Sequence, residues 1–182
     1  MGGIRSKLRH AGWQIGLKLG RFDYLKAVEF SRVRRLVFIC KGNICRSPYA
    51  EVRARMLGAQ TVSGGLEAAG DKPANDTAIH VSRGRGVDLT KHVSQNVSRM
   101  KFDTSDLIVV MEPSHLRGAA ELATRSGAQH TLAGLWCSSP RVTIEDPYGR
   151  SASQFSDCFT QLDAAIENLV TQSRANTGKS CQ

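Results

Sequence analysis

The apolar residues of the chain follow two kinds of pattern. Two runs that are apolar after their first residue, Arg35–Cys40 and Asp106–Met111, are typical of strands buried on both faces of a sheet. Shorter runs at Thr61–Gly65 and His130–Leu135 predict two further strands. The chain is therefore expected to contain four strands.

Between and after these runs, apolar residues recur at the three- and four-residue spacing of a helix. This pattern predicts helices over residues 48–57, 73–83, 114–125 and 154–171. Strands that alternate with helices predict an α/β fold with three layers, in which a four-stranded parallel sheet has helices on both faces. The last helix has one clear apolar stripe, formed by Phe155, Phe159, Leu162, Ala165, Ile166 and Leu169.

Composition divides the chain into three parts. Residues 35–171 hold the alternating strands and helices and form the predicted folded domain, whereas residues 172–182 are polar and predicted to be disordered. Residues 1–34 form a basic extension, predicted to be one or two helices that its glycines weaken. Apolar residues occur in it at roughly helical spacing, at Ile4, Leu8, Ala11, Ile15, Leu19 and Phe22.

The positive charge is concentrated in this extension. The chain has a net charge of +9, and residues 1–35 contribute +7 of it. A basic segment with interspersed apolar residues favours an anionic membrane surface or an acidic protein partner. In the alternative, a helix packs on the domain with its charges solvated, and an apolar patch is covered by Ile4, Leu8, Ile15 and Leu19.

The sequence also predicts where the protein works. No apolar run approaches the about 18 residues of a membrane-spanning helix, and no secretory signal pattern occurs. Five cysteines without paired metal-ligand spacing fit a reducing compartment. We expect a cytoplasmic protein whose extension provides peripheral contact with the inner membrane surface, and we expect no nucleic-acid partner.

Residues 40–48 read Cys-Lys-Gly-Asn-Ile-Cys-Arg-Ser-Pro and join the first predicted strand to the first helix of the domain. We expect Ser47 to cap this helix and Pro48 to occupy its first turn. The N–H groups of such a loop, with the partial positive charge of the helix start, form a site for an oxyanion. Gly42 is expected to take backbone angles that other residues resist, and Arg46 can offer two parallel donors to phosphate.

Cys40 is the candidate nucleophile because a field that binds phosphate also stabilises a thiolate. Ser47 can donate a hydrogen bond to its sulfur. These features predict attack by Cys40 on phosphorus and a cysteinyl-phosphate intermediate. In the alternative, Cys40 is a buried structural cysteine beside a surface arginine. Cys45 in the same loop predicts reversible oxidation to a Cys40–Cys45 disulfide, unless Cys45 only packs.

The stretch from Cys40 to Pro48 resembles the phosphate loop of the low-molecular-weight protein tyrosine phosphatases of bacterial type. The resemblance is close over the loop and extends more loosely from about residue 35 to about residue 170. It implies that Cys40 and Arg46 are catalytic. It also implies substrate contacts from Lys41, Gly42, Asn43, Ile44, Cys45 and Ser47.

The candidate general acid is Asp146, in the segment Glu-Asp-Pro-Tyr at residues 145–148. Pro147 disfavours a helix at Asp146 and holds it extended, and Tyr148 can form one wall of an aryl-binding cleft. Taken alone, Asp-Pro is often only a turn. The segment resembles the Asp-Pro-Tyr of the same family, which implies that Asp146 acts first as general acid and then as general base.

Three further positions resemble a supporting polar network in that family. Asn43 corresponds to an asparagine that stabilises the strained loop, Ser63 to a serine bonded to it, and His92 to a histidine of the same network. Each of them is alternatively an ordinary turn or surface residue. No metal or other cofactor is predicted, because no residues have ligand spacing and the loop itself supplies positive charge.

The predicted function is therefore hydrolysis of phosphotyrosine. A phosphoarginine phosphatase of the same fold would carry threonine at Ile44. An arsenate reductase would need further cysteines in the middle of the chain, and none occurs between Cys45 and Cys137. A phosphate-binding module without turnover would be expected to lack Cys40 or Asp146.

The resemblance also implies a class of partner, namely a phosphotyrosine protein such as a bacterial tyrosine autokinase of polysaccharide export. Two departures from the family bear on substrate choice. Lys41 replaces an apolar residue after the nucleophile, and small residues occupy positions 68–70, where a large pocket wall is common. A wider and more basic mouth favours phosphotyrosine flanked by acidic residues.

Overall fold

The computed structural model describes the backbone of residues 3–177 and the side chains of residues 11–175. Five helices and four strands are defined within this range. In chain order they are α1 (Gly3–Lys18), β1 (Arg35–Cys40), α2 (Arg46–Met56), β2 (Thr61–Gly65), α3 (Asp76–Arg83), β3 (Asp106–Val110), α4 (Leu116–Ser126), β4 (Gln129–Leu132) and α5 (Ala152–Thr177).

The four strands form one parallel sheet in the order β2-β1-β3-β4, which confirms the predicted fold class. In the central register Phe38 of β1 lies beside Ser63 of β2 and Val109 of β3. Cys40 therefore ends the middle of the sheet and lies beside Gly65. In parallel sheets of this kind, ligands bind beyond the carboxyl ends of the strands, which is where the loop after β1 lies.

The two faces of the sheet bury different residues of the same strands, as the alternation of side chains requires. Phe38 and Val109 pack under α2 and α5, in one apolar core. Ile39 and Val110 point to the opposite face, where α4 covers them. This explains why β1 and β3 have no polar break in their interiors.

The N-terminal extension is integrated into the second of these cores. Helix α1 ends in a turn at Gly20, and two single-turn 3₁₀ helices follow, at Asp23–Lys26 and Phe30–Arg32. Trp13 and Leu17 are half-buried against the face of the sheet that α4 covers, and Phe22 and Leu25 are buried there.

One prediction for this segment is wrong. Ile15 and Leu19 do not cover an apolar patch of the domain, since they are 59% and 79% exposed. Trp13 and Leu17 make the contact instead, from another side of the same helix. Ile4 and Leu8, which belong to the same prediction, lie outside the residues whose side chains are described.

Several element boundaries differ from prediction by two or three residues, and three differences change the interpretation. Helix α2 begins at Arg46, so Ser47 lies within its first turn and is not its cap. Strand β4 ends at Leu132, and a 3₁₀ helix follows over Ala133–Trp136. Helix α5 continues to Thr177, so the prediction of disorder from residue 172 is wrong as far as residue 177. A helix anchored by a packed stripe extends easily, because each further residue adds one hydrogen bond.

Candidate active site

The loop between β1 and α2 is shaped by Asn43 rather than by Gly42. Asn43 has a φ of 55°, in the left-handed region that asparagine tolerates, whereas Gly42 is not among the residues with positive φ. The expectation that Gly42 supplies the special angles is therefore wrong. Gly65 on the neighbouring strand lies so close that a Cβ there would be 2.8 Å from the carbonyl oxygen of Lys41. The end of β2 thus supports the loop from below.

The Cys40 thiol lies at the end of β1, buried beneath this loop. Its Sγ is 3.0 Å from Ser47 Oγ, and the Asn43 N–H donates to it at 3.3 Å. Because α2 begins at Arg46, its positive end also faces the sulfur. A hydroxyl, an N–H group and a helix N-terminus therefore surround the sulfur.

Asn43 is the centre of a buried hydrogen-bond network. Its Nδ2 donates to Ser47 Oγ and to Ser63 Oγ, each at 2.8 Å. Its Oδ1 accepts from the Gln95 N–H at 2.9 Å, and His92 Nε2 lies 2.8 Å from its carbonyl oxygen. Ser63 and His92 therefore lie in contact with Asn43, as the family resemblance implied for these positions. Such a network holds a strained residue in place because it satisfies every polar group of the side chain.

Arg46 is the most deeply buried charge of the site, with 1% of its surface exposed. Its Nη2 is 2.7 Å from Asp146 Oδ2, and its Nη1 donates to the Ile144 carbonyl oxygen at 3.0 Å. Glu112 Oε2 lies 3.9 Å from Nη1. Within the described part of the chain, Nε has no hydrogen-bond partner. The guanidinium is thus oriented by two carboxylates and a carbonyl.

Asp146 and Tyr148 reach the site from the loop before α5. Asp146 is partly exposed, and besides the contact with Arg46 its Oδ1 accepts from the Tyr148 N–H at 3.2 Å. Tyr148 is 61% exposed, whereas Pro147 between them is buried. A cleft of about 240 Å³ opens here, lined by Cys40, Lys41, Gly42, Ile44, Cys45, Glu67, Asp146 and Tyr148.

Two residues near the site, Glu112 and His115, were not predicted; both follow β3. His115 is buried, and its Nε2 lies 3.4 Å from Glu112 Oε1. Burial lowers the pKa of His115 to about 4, although the nearby Glu112 opposes this shift. Both residues follow a strand that neighbours β1, so their position at the carboxyl edge of the sheet was a usable signal.

Two further carboxylates were also missed. Glu51 of α2 accepts a hydrogen bond from Ser63 Oγ at 2.6 Å, which ties the Asn43 network to the helix. Glu67 lies 3.3 Å from Lys41 Nζ at the mouth of the cleft, where both side chains are exposed. The sequence carried no signal for either pair, because each joins segments that only the fold brings together.

Four cysteines within the described range are free thiols, namely Cys40, Cys45, Cys137 and Cys158. Burial raises the pKa of the Cys45 thiol and raises that of Cys158 to about 12. A Cys40–Cys45 disulfide stays a prediction. No group of three or more potential ligands among the described residues is arranged to hold a metal ion. The same residues contain no helix long and apolar enough to cross a bilayer.

Comparison with known proteins agrees with this geometry. The chain is 31% identical over 147 residues to the low molecular weight protein-tyrosine-phosphatase Wzb of Salmonella typhi, which covers 80% of this chain and 97% of that protein. The crystal structure of Vibrio vulnificus Wzb in complex with benzylphosphonate has a TM-score of 0.66 and 29% identity, covering 76% of this chain and 98% of the other.

An arginine phosphatase has the same fold. The YwlE enzyme from Geobacillus stearothermophilus has a TM-score of 0.69, covering 82% of this chain and 98% of the other, but only 20% identity. That likeness concerns the fold alone. The family model described as low molecular weight phosphotyrosine protein phosphatase matches residues 35–179, which is most of the chain. The chain therefore belongs to the family of low molecular weight phosphotyrosine protein phosphatases.

Proposed function

We propose that Cys40, Arg46 and Asp146 are the catalytic residues of this protein tyrosine phosphatase. The observation that carries the proposal is the convergence of three groups on one cleft, since Cys40 and Asp146 line it and Arg46 contacts Asp146 at 2.7 Å. A nucleophile, an anion binder and an acid are the parts that phosphomonoester hydrolysis through a covalent intermediate requires.

In the first step, the Cys40 thiolate attacks phosphorus and the bond to the tyrosyl oxygen breaks. Arg46 and the N–H groups of residues 41–46 bind the phosphoryl oxygens, where negative charge must be stabilised in the transition state. Asp146 donates its proton to the departing phenolate, so tyrosine leaves uncharged. The products are the dephosphorylated protein and cysteinyl phosphate on Cys40.

In the second step, water attacks the cysteinyl phosphate. Asp146, now a carboxylate, accepts a proton from that water, the sulfur–phosphorus bond breaks, and inorganic phosphate leaves with the Cys40 thiolate regenerated. Ser47, 3.0 Å from the sulfur, stabilises the thiolate as leaving group. Asn43, Ser63 and His92 are proposed to hold the loop in this geometry.

The substrate is proposed to be a phosphotyrosine protein. Ile44 and Tyr148 lie on the cleft and offer apolar surface to a phenyl ring. Lys41, beside Glu67 at the mouth, favours acidic residues next to the phosphotyrosine. Gly42, Asn43 and Cys45 are also proposed to contact the substrate, because they belong to the same loop.

The partner is proposed to be a bacterial tyrosine autokinase of polysaccharide export, on the basis of the family resemblance. We propose that the protein acts in the cytoplasm, at the inner surface of the membrane. The charge of +7 within residues 1–35 supports contact between the extension and an acidic surface.

The test is a side-by-side assay of phosphotyrosine, phosphoserine and phosphoarginine peptides of one sequence. We expect kcat/KM to be highest for phosphotyrosine, and rapid quenching to trap phosphorus on Cys40. Preference for phosphoarginine would identify the other activity known for this fold. Binding of all three peptides without turnover would identify a phosphate-binding module, and both results would contradict the proposal.

A further inference from the structure

Helix α1 presents two different sides. Trp13 and Leu17 face the apolar core, and Gly16 lies between them where the helix meets Phe22. A Cβ on Gly16 would be 3.3 Å from the Phe22 ring, so the absence of a side chain allows the close approach. This side packs the helix against the domain, so a surface that binds α1 also holds the domain.

The other side of α1 is apolar and exposed. Ile15 and Leu19 are one helical turn apart and expose 59% and 79% of their surface. Ala11, one turn earlier, is exposed beside a cavity that Arg141 and Glu145 also line. We refer to Ile15 and Leu19 as the outer stripe. In the sequence, Leu8 and Ile4 precede Ile15 by seven and eleven residues, which is helical spacing.

The outer stripe lies in strongly basic surroundings. Lys18 and Arg21 are both exposed at its C-terminal end. Residues 1–22 contain five Lys or Arg and no Asp or Glu. Asp23, which pairs with Lys26, lies just beyond Gly20. An exposed apolar row in a segment with this excess of cations is typical of a helix that lies in the interface of an anionic bilayer.

We propose that the outer stripe of α1 is a docking surface for an anionic lipid bilayer. Ile15 and Leu19 would enter the boundary between headgroups and acyl chains, while Lys18 and Arg21 would contact lipid phosphates. The charge argues against a second copy as the occupant, since two copies would bring like-charged helices together. An acidic protein could bind the cations alone, so it would not explain why the apolar row is exposed. The inference rests on the membrane location proposed above and does not depend on the catalytic mechanism.

The test uses the full-length protein and sedimentation with phosphatidylcholine vesicles that contain or lack phosphatidylglycerol. We expect binding only with phosphatidylglycerol, weakening as salt rises. Ile15→Gln/Leu19→Gln should lower the partition coefficient about tenfold or more, because two apolar side chains no longer leave water. Met56→Gln is the matched control, because Met56 is 53% exposed on α2, outside the extension.

Charge is tested separately with Lys18→Gln, which should lower the partition coefficient about fivefold. Lys101→Gln removes an exposed lysine elsewhere and should change it little. All four variants should retain the native melting temperature and the native kcat on a small aryl phosphate. Those two measurements keep a folding defect apart from a docking defect.

Three results would overturn the proposal. The first is absence of binding to phosphatidylglycerol vesicles at low salt. The second is equal binding of the native protein and Ile15→Gln/Leu19→Gln to phosphatidylglycerol vesicles, which would make the surface a charge-only site for acidic partners. The third is a dimer in sedimentation velocity that Ile15→Gln/Leu19→Gln dissociates, which would assign the stripe to a second copy.

Discussion

Two loops meet at the cleft, and they are held in opposite ways. In the phosphate loop, residues 40–46, the side chains of Asn43 and Arg46 are buried, and five polar contacts surround Asn43 alone. In the acid loop, residues 145–150, Asp146 has 40% of its side chain exposed. Tyr148 beside it is more exposed still, and Pro147 is the buried residue.

This difference corresponds to what each loop must do. In the proposed mechanism, the phosphate loop binds charge that develops in the transition state, and donors oriented in advance need no reorganisation during the reaction. In the same mechanism, the acid loop admits a protein-borne phenyl ring, releases it, and then admits water to the same place. The Arg46–Asp146 contact joins the phosphate loop to the acid loop. Substitutions in the two loops should nevertheless change different kinetic quantities.

The largest effect is expected from the phosphate loop. Cys40→Ser should lower kcat at least about 1,000-fold, because the hydroxyl is a far weaker nucleophile than the thiolate. Phosphate binding should persist, since Arg46 and the loop N–H groups remain. Calorimetry with inorganic phosphate and initial rates check both parts.

Cys137→Ser is the control for that experiment. Its thiol donates to the Gln161 carbonyl oxygen at 3.3 Å, away from the cleft, and serine can donate likewise. Native turnover by Cys40→Ser, or a requirement for a divalent metal, would contradict the nucleophile assignment.

On the acid loop, Asp146→Asn should lower kcat for phosphotyrosine about 100-fold or more, because the phenolate then leaves without a proton. For an aryl phosphate with a very acidic leaving group, the rate of the phosphorylation step should fall much less, and burst kinetics measure that rate. Glu145→Gln, the adjacent carboxylate, should behave like native enzyme. Equal losses for both substrates would make Asp146 structural.

Substitutions of Asn43 test whether its hydrogen bonds or its backbone conformation hold the phosphate loop in place. Asn43→Gly keeps access to positive φ but removes the three side-chain bonds. It should lower kcat/KM about tenfold or more, because the donors of the loop are then less well oriented for the phosphoryl group. Asn43→Ala should lower kcat/KM similarly and unfold more easily than the glycine variant by about 1 kcal/mol, because alanine disfavours a φ of 55°. Urea unfolding and initial rates check the pair. Native kcat/KM in Asn43→Gly would show that conformation alone matters.

The last prediction concerns stability rather than turnover and involves His115, behind the contact that joins the loops. Its pKa is lowered from 6.5 to about 4 in the folded protein, so the unfolded chain binds more protons between these values. The free energy of unfolding should therefore fall as the pH drops from 6.5 towards 4. In His115→Gln the total fall across this range should be smaller by roughly 2 kcal/mol. The measurement is urea unfolding across this range.

His80→Gln removes an exposed histidine on α3 and should leave the slope unchanged. An unchanged slope in His115→Gln would show that burial of His115 does not govern the acid sensitivity of the fold.

Much of the site could be predicted because it is local in the chain. Cys40 and Arg46 are six residues apart, at the end of a strand and the start of a helix, so their proximity follows from the backbone between them. The alternation of strands and helices likewise determined a parallel sheet, and hence the edge at which the site lies. Asp146 was identified through family resemblance and not through spacing.

What only the tertiary structure decided depends on contacts between distant segments. Glu112 and His115 lie near Arg46 because β3 pairs with β1, and the burial that lowers the pKa of His115 exists only in the folded protein. The periodicity of α1 located its apolar residues but not the side that packs. The close approach of Gly16 to Phe22 turns Trp13 and Leu17 inward. Ile15 and Leu19 are thereby left in solvent, since one helix cannot bury opposite sides against a single core.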